Sequence, residues 1–428
     1  MNNGVFLAAI IMLLLMFMKV PIFVSLLVGS VTYFFMTPGV STQLIAQRFT
    51  SGIESIPLLA VPFFICAGVF MNYTGITSRI MDVCSVLSGR LSGGLAQVNI
   101  LLSTLMGGLS GSNIADAAME AKMLVPEMEK KGLPKAFSTV VTAFSSIITP
   151  LIPPGIQMII YGTVASISIG KLFMAGISVG AFTCVLLMAG TWIISKKRGY
   201  KPMRTTSISP MEFFSAVKRA FLPLCLPVVI IGGIRIGIFT PTEAGAVAVM
   251  YAILLGIGYH SLSVKDSFQA LKETVITAGS IALLVGAASV FAWVLTREQV
   301  PQKLSEFIVR SIGNKYIFLI VINVFLLILG MFIEGTSATI VLAPLLTPIA
   351  TAFGIDEIHF AFIFIFNTSI GCITPPMGVL MFVTCGITGC KTRDFLKESI
   401  PYFGMLLSGL LLITFVPMLS IGIVKAFY

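Results

Sequence analysis

Charge is the scarcest commodity in this chain. Of 428 residues, 10% are Asp, Glu, Lys or Arg, against roughly 25% in a soluble protein. Histidine occurs twice, as His260 and His359, and tryptophan twice. The seven cysteines form no CxxC pair and nearly all fall in apolar stretches, so they read as small packing residues and not as a disulfide or zinc framework. No HExxH, GxGD or P-loop is present, and no basic run interleaved with aromatics points to nucleic acid. The N-terminal MNNGVFLAAIIMLLLMF has neither a basic n-region nor a small-residue cleavage site, and reads as a first span and not a signal peptide.

Apolar residues fill the gap. They make up 57% of the chain, and the mean hydropathy is +1.03. So few charges cannot cover the surface of a soluble globule of this size. Ordinary cytosolic enzymes, secreted disulfide scaffolds and disordered chains are excluded. An all-α polytopic membrane protein remains, with room for several spans of ~20 residues.

The spans follow one another quickly: 4–18, 21–37 and 56–72, then a pair of short stretches at 93–109 and 112–129 joined at a polar LSGSN tip. Residues 134–168 are interrupted at Thr149-Pro150 and Pro153-Pro154-Gly155, and 171–195 is an unbroken span. The basic segment 196–220 carries seven Lys or Arg against Glu212 and reads as a linker. The order then returns: spans at 221–239, 241–259 and 276–295, a second pair at 316–333 and 336–353 around EGTSAT, a broken stretch at 356–390 and a last span at 400–424. Residues 40–54 and 261–274 are mixed and amphipathic, and are predicted to be arm helices lying in the membrane interface.

An offset of 222 residues places Pro126 on Pro348, Phe144 on Phe366, and Pro153-Pro154 on Pro375-Pro376. This predicts two repeats, 1–195 and 221–428. With 93–129 and 316–353 as re-entrant hairpins, each half crosses five times. An odd count inverts the second half, giving about ten full crossings in all. Placing the basic linker in the cytoplasm satisfies the positive-inside rule, puts both termini in the periplasm, and has the first hairpin enter from the cytoplasm and the second from the periplasm. Inverted repeats with broken helices point to a transporter with its site near the midplane.

Four polar breaks interrupt the apolar sequence. Two are the hairpin tips, Ser110–Asn113 and Glu334–Thr339; two are the helix breaks, Ser145–Gly155 and Asn367–Gly378. Unwound backbone in hydrocarbon must be buried in protein or line a wet cavity. Its carbonyls, with Ser, Thr and Asn oxygens, form neutral cages suited to a hard cation such as sodium. Half-helix N-termini there offer N–H groups to an anion. Close helix packing by small residues explains any one such position, but not four in symmetric places. Asp116, three residues after Asn113, reads either as a functional charge or as a first-turn carboxylate. Glu120 and Lys122 are expected to reach solvent. Glu334 lines the site or faces the periplasm. Glu243 reads as a helix-start acid in Thr-Pro-Thr-Glu. Arg297, and less so Arg235, is a candidate for attracting an anion, against simple snorkelling. Gly108-Leu109-Ser110-Gly111 matches the GxSG of an intramembrane serine protease, but that chemistry needs a histidine base beside the serine, and both histidines lie at predicted membrane edges.

Taken together, GLSGSNIADA at 108–117, IPPG at 152–155, FTPTEA at 239–244 and ITPPMG at 373–378 resemble the large membrane subunit of the tripartite ATP-independent periplasmic (TRAP) transporters, over essentially the whole chain. The resemblance implies an elevator-type fold and sodium-coupled import of an organic acid anion across the bacterial inner membrane. It also implies a separate small four-helix membrane subunit and a periplasmic substrate-binding protein. Two sodium sites follow by analogy: Ser110, Ser112, Asn113, Ser145 and Thr149 for the first, and Gly335, Thr336, Ser337, Asn367 and Thr374 for the second. The substrate lies between the tips, near Asp116 and Glu334, with Arg297 a further candidate. Sialic acid is the favoured cargo and a C4-dicarboxylate the next; a stand-alone antiporter of the same superfold is the runner-up.

Overall fold

The computed structural model describes residues 3–18, 20–204 and 209–427, with backbone only for Asn3, Phe17, Leu109 and Ser110. Twenty α-helices make up the described chain. The first half opens with α1 (Asn3–Phe17), α2 (Ile22–Met36), α3 (Gln43–Ile53), α4 (Ala60–Tyr73) and α5 (Ile76–Ser88). A hairpin follows, α6 (Leu95–Ser110) and α7 (Asn113–Lys130), with Gly111 in the left-handed region at its tip. The first broken helix is α8 (Lys135–Ser145), a 3-10 stretch (Ser146–Leu151) and α9 (Ile156–Val164), and α10 (Ile169–Lys197) closes the half. The second half has α11 (Pro210–Arg235), α12 (Pro241–Gly258), α13 (Val264–Arg297) and α14 (Val300–Ile312), then the hairpin α15 (Lys315–Gly330) and α16 (Gly335–Ala352). The second broken helix is α17 (Glu357–Gly371) and α18 (Val379–Thr388), followed by α19 (Thr392–Phe415) and α20 (Met418–Phe427).

Both proline pairs fall where the sequence predicts a break, and in each the second peptide bond is cis. Proline cannot donate to the helix ladder, so α8 and α17 stop before them and α9 and α18 restart after Gly155 and Gly378. The α8–α9 pair bends by 42° across its break. Both helices before the breaks are apolar on every side, and such helices belong in a core. In α17, Phe360, Phe362, Phe364 and Phe366 are all fully buried, as are Phe137 and Phe144 in α8. The half-helices after the breaks lean on the opposite hairpin: α9 packs on α16, and α18 on α7. Around this centre, α2, α3, α4 and α12 pack with α13, directly or through α4, while α11 packs on α5 and α12.

The crossings differ from the sequence expectation of ten. Among the described residues seven helices are long and apolar enough to span a bilayer, and nine if each bent pair counts once. One of those pairs, α14 and α15, turns by 118°, so it is not a single crossing. The shortfall comes from helices such as α1 and α2, which have 15 residues each and rise only about 22 Å. The second amphipathic arm and the span after it are also one continuous helix, α13, of 34 residues. In the first half the chain breaks at Glu54–Ser55 because Pro57 follows; at the position 220 residues on, Thr277 leaves the ladder intact. The expected last span starts earlier, at Thr392, and breaks before Pro417. Part of the linker is helical, since α11 begins at Pro210 and Glu212 in its first turn pairs with Arg204.

Glu243 does what its position suggests. Thr240 Oγ1 accepts from the Glu243 N–H at 3.3 Å, and Glu243 Oε2 accepts from the Thr240 N–H at 2.7 Å, completing a capping box at the start of α12. Thr240→Ala removes the cap and is expected to cost about 1 kcal/mol, read as a small drop in the unfolding temperature of the purified protein.

Candidate functional site

A central cavity of about 470 Å³ lies between the two hairpin tips and the first helix break. Its volume suits a small organic ligand. One wall is apolar, from Ile22 and Phe23 of α2 and Ile276, Ile281 and Leu284 of α13; the other is polar, with Ser112, Asn113, Gln157, Glu334, Thr336 and Ser337. The N-termini of α7, α9 and α16 all reach this space through Asn113, Ile156 and Thr336. First-turn N–H groups have no partner within their own helix, and the helix dipole makes such an end favourable for negative charge. A second cavity of about 830 Å³ lies among Ser55, Thr163, Ser166, Arg235, Thr240 and Thr242. It is larger, but neither hairpin tip contributes to it.

Glycine brings each hairpin arm against its break. A Cβ on Gly107 would fall 2.9 Å from the Thr149 Cα, and one on Gly371 would fall 2.4 Å from the Gly330 Cα. These positions correspond at the 222-residue offset to within one residue. Beside each contact, a buried asparagine on the first hairpin arm meets the broken helix. Ser145 Oγ donates to Asn99 Oδ1 at 2.9 Å, and Asn367 Nδ2 donates to Asn323 Oδ1 at 2.5 Å. Asn99 and Asn323 were not singled out from the sequence. Their signal was available as a pair of lone amides in apolar helices, 224 residues apart.

Of the first sodium set, Ser112 caps α7 by accepting from the Ala115 N–H at 3.4 Å, Asn113 lines the cavity, and Thr149 Oγ1 donates to Asp116 Oδ2 at 2.7 Å. The side chain of Ser110 lies outside the described residues. Of the second set, Thr336 and Ser337 line the cavity, and the Gly335 carbonyl accepts from Gln157 and Thr339. Asn367 Oδ1 is buried without a hydrogen-bond partner among the described residues. Thr374 Oγ1 donates to the Ile370 carbonyl at 2.7 Å, and the second break does not contribute to the cavity wall.

The substrate candidates separate. Glu334 lines the cavity, and its carboxylate accepts from the Ser337 N–H at 3.1 Å, so it caps α16. Asp116 does not line the cavity. It sits behind the first tip, 1% exposed, tied to Thr149. Arg297 is out of reach: α13 lines the cavity as far as Leu284, and 13 further residues of helix carry Arg297 about 20 Å beyond. Its guanidinium lies over the Trp293 ring, 5.4 Å from the centroid. Arg235 lies over Phe427 in the same manner. The expectation that Glu120 reaches solvent is corrected. Glu120 is fully buried one turn after Asp116 and accepts from Ser103 Oγ at 2.7 Å, whereas Lys122 is exposed. Helix α7 packs against α6, α8 and α18, so its 116–120 stripe faces protein on a helix that looks polar in sequence. Gln157 was missed altogether. It stands in the apolar run after a proline break, where one glutamine carries no distinguishing pattern.

Neither histidine serves a serine in the hairpin. Both ring nitrogens of His359 are engaged, with Ser420 Oγ at 2.8 Å and the Thr414 carbonyl at 3.1 Å, and His260 lies beside the Gly258 carbonyl.

Comparison with known proteins agrees with this architecture. Residues 9–419 match the family described as the tripartite ATP-independent periplasmic transporter, DctM component. The chain is 40% identical over 394 residues to the sialic acid TRAP transporter large permease protein SiaM of Vibrio cholerae, covering 91% of this chain and 92% of that one. It is 37% identical to the sialic acid permease SiaT of Haemophilus influenzae, over 97% of this chain and 67% of that one. The C4-dicarboxylate large permease DctM of Pseudomonas aeruginosa is 34% identical over 92% of both chains. Among solved structures, the YdaH transporter of Alcanivorax borkumensis shares the fold, with a TM-score of 0.62 over 98% of both chains at 13% identity. This chain is a multi-span membrane permease and not an enzyme, and it belongs to the TRAP transporter family as a DctM component, the large permease subunit.

Proposed function

We propose that this chain is the transport subunit of a sodium-coupled importer of an organic acid anion in the bacterial inner membrane. The observation that carries the proposal is the convergence of both hairpin tips and three helix N-termini on one cavity. The anion's carboxylate binds at the ends of α7 and α9, where Ser112 and Asn113 stand. The end of α16 is less available because Glu334 already occupies it.

Sodium ions bind at the two places where hairpin arm and helix break touch. Ser110, Ser112, Asn113, Ser145 and Thr149 serve the first, and Gly335, Thr336, Ser337, Asn367 and Thr374 the second. The bare Asn367 Oδ1 supports the second site, since a buried carbonyl oxygen lacking a donor is an apt cation ligand. The two halves, 1–195 and 221–428, are inverted repeats around the linker 196–220, with both termini periplasmic. The hairpins and broken helices form the element that moves, in an elevator motion, against a frame of α2–α4 and α11–α13. A small membrane subunit and a periplasmic binding protein complete the assembly. Sialic acid is the preferred cargo on the names of the relatives SiaM and SiaT, with a C4-dicarboxylate next.

The test is uptake of labelled sialic acid into proteoliposomes containing this chain and its small partner. Uptake is expected only with both an inward sodium gradient and the binding protein. Sodium-driven uptake without the binding protein would point instead to a stand-alone carrier. Failure with sialic acid but success with succinate would replace the cargo, and equal uptake without sodium would end the coupling proposal.

A further inference from the structure

Gln157 lies in the wall of the central cavity on α9, 5% exposed, where it meets the second hairpin and the second broken helix. Its Nε2 is within 3.2 Å of the Gly335 carbonyl, 3.1 Å of Thr339 Oγ1 and 3.0 Å of Thr368 Oγ1. All three are acceptors. The Thr339 hydroxyl has already given its proton to the Gly335 carbonyl at 2.8 Å, and the Thr368 hydroxyl gives its own to the Phe364 carbonyl at 3.0 Å. A hydroxyl has one proton, so neither threonine can donate to the glutamine. The amide must therefore face these groups with its nitrogen, and its carbonyl oxygen is turned the other way. Oε1 accepts no hydrogen bond among the described residues. A buried amide oxygen left without a donor is costly, and the cavity is where a donor would come from.

The charge pattern around it sharpens the point. At this end of the cavity stand the Gln157 carbonyl and the Glu334 carboxylate, both acceptors. At the other end are the N-termini of α7 and α9, which favour negative charge. We infer that Gln157 is a specificity-determining residue that selects an acid carrying hydroxyl or N–H donors at the end remote from its carboxylate, and disfavours a second carboxylate there. This rests on the cavity being the substrate site, as proposed above.

The experiment compares two competitors against labelled sialic acid in the assembled transporter: unlabelled sialic acid, rich in donors, and succinate, which has a carboxylate at each end and no hydroxyl. Gln157→Met removes both ends of the amide. Gln157→Lys restores donors toward Gly335, Thr339 and Thr368 but has no acceptor for the cavity. Both variants are expected to shift the ratio of half-inhibitory concentrations about tenfold toward succinate, the value of one ordinary hydrogen bond. The sodium concentration for half-maximal uptake should stay where it is. An unchanged ratio in either folded variant overturns the inference, because the amide then only joins helices. A shift in sodium dependence with an unchanged ratio also overturns it and makes Oε1 a cation ligand. Wild-type protein that neither binds nor transports either acid overturns the cavity's role as the substrate site, a different failure from an unchanged ratio.

Discussion

Transport is expected to vanish in Gly371→Val, and the purified variant should unfold at a clearly lower temperature than wild type. The reason is local. A Cβ at residue 371 would sit 2.4 Å from the Gly330 Cα and 2.6 Å from its carbonyl carbon. Both neighbours are backbone, so no side chain can swing aside to make room. Valine places three carbons where none fits, and α15 and α17 must separate along the length where the hairpin arm meets the broken helix. Overpacking a close-packed core costs about 1–3 kcal/mol, and a backbone-to-backbone clash belongs at the upper end. Gly386→Ala is the matched control, since a Cβ there meets nothing within 4 Å; it should leave uptake and unfolding unchanged. A Gly371→Val protein with wild-type stability and uptake would show that the close approach of these helices is dispensable.

Asp116→Ala is expected to reduce uptake about ten- to hundredfold. A hydrogen bond to a charged group is worth about 1.5–3 kcal/mol, and each 1.4 kcal/mol is a factor of ten. The bond in question runs from Thr149 Oγ1 to Asp116 Oδ2 and joins the helix after the first tip to the first break. Without it, Thr149 is left buried with its donor unspent, and the tip loses its tie to the backbone that lines the cavity. Asp116→Asn keeps an oxygen for Thr149 and should retain more uptake than alanine. The measurement is initial uptake rate at matched protein content. If Asn and Ala were equally impaired, the loss would come from the charge itself and not from the tie to Thr149.

The sequence showed the large features because their causes are local. Proline pairs stop helices wherever they occur, so both breaks were legible; polar tips between short apolar arms made both hairpins legible. The capping role of Glu243 was legible for the same reason. What stayed hidden depends on partners far along the chain. Glu120 is charged and follows a polar tip, yet the packing of α6, α8 and α18 around it decides its burial. Arg297 looked like an anion receptor until the continuous length of α13 carried it past the cavity. The orientation of the Gln157 amide depends on which way two threonine protons point, at positions 182 and 211 residues away. No local pattern encodes that.

The difference between Pro57 and Thr277 has a mechanical consequence. On the α4 side, the chain between arm and span is a corner, interrupted at Glu54–Ser55, and a corner absorbs rotation by changing a few dihedral angles. On the α13 side, the same stretch is a rod of 34 residues, about 51 Å long, and a rod passes displacement from end to end. Ile276, Ile281 and Leu284 are on that rod. The apolar wall they form can therefore tilt or slide as a unit but cannot fold inward on its own. If the cavity changes shape during a cycle, the deformation must be taken up by the polar wall opposite, and a push applied at the Val264 end of the rod would be felt at Glu298, where Tyr33 of α2 is bound.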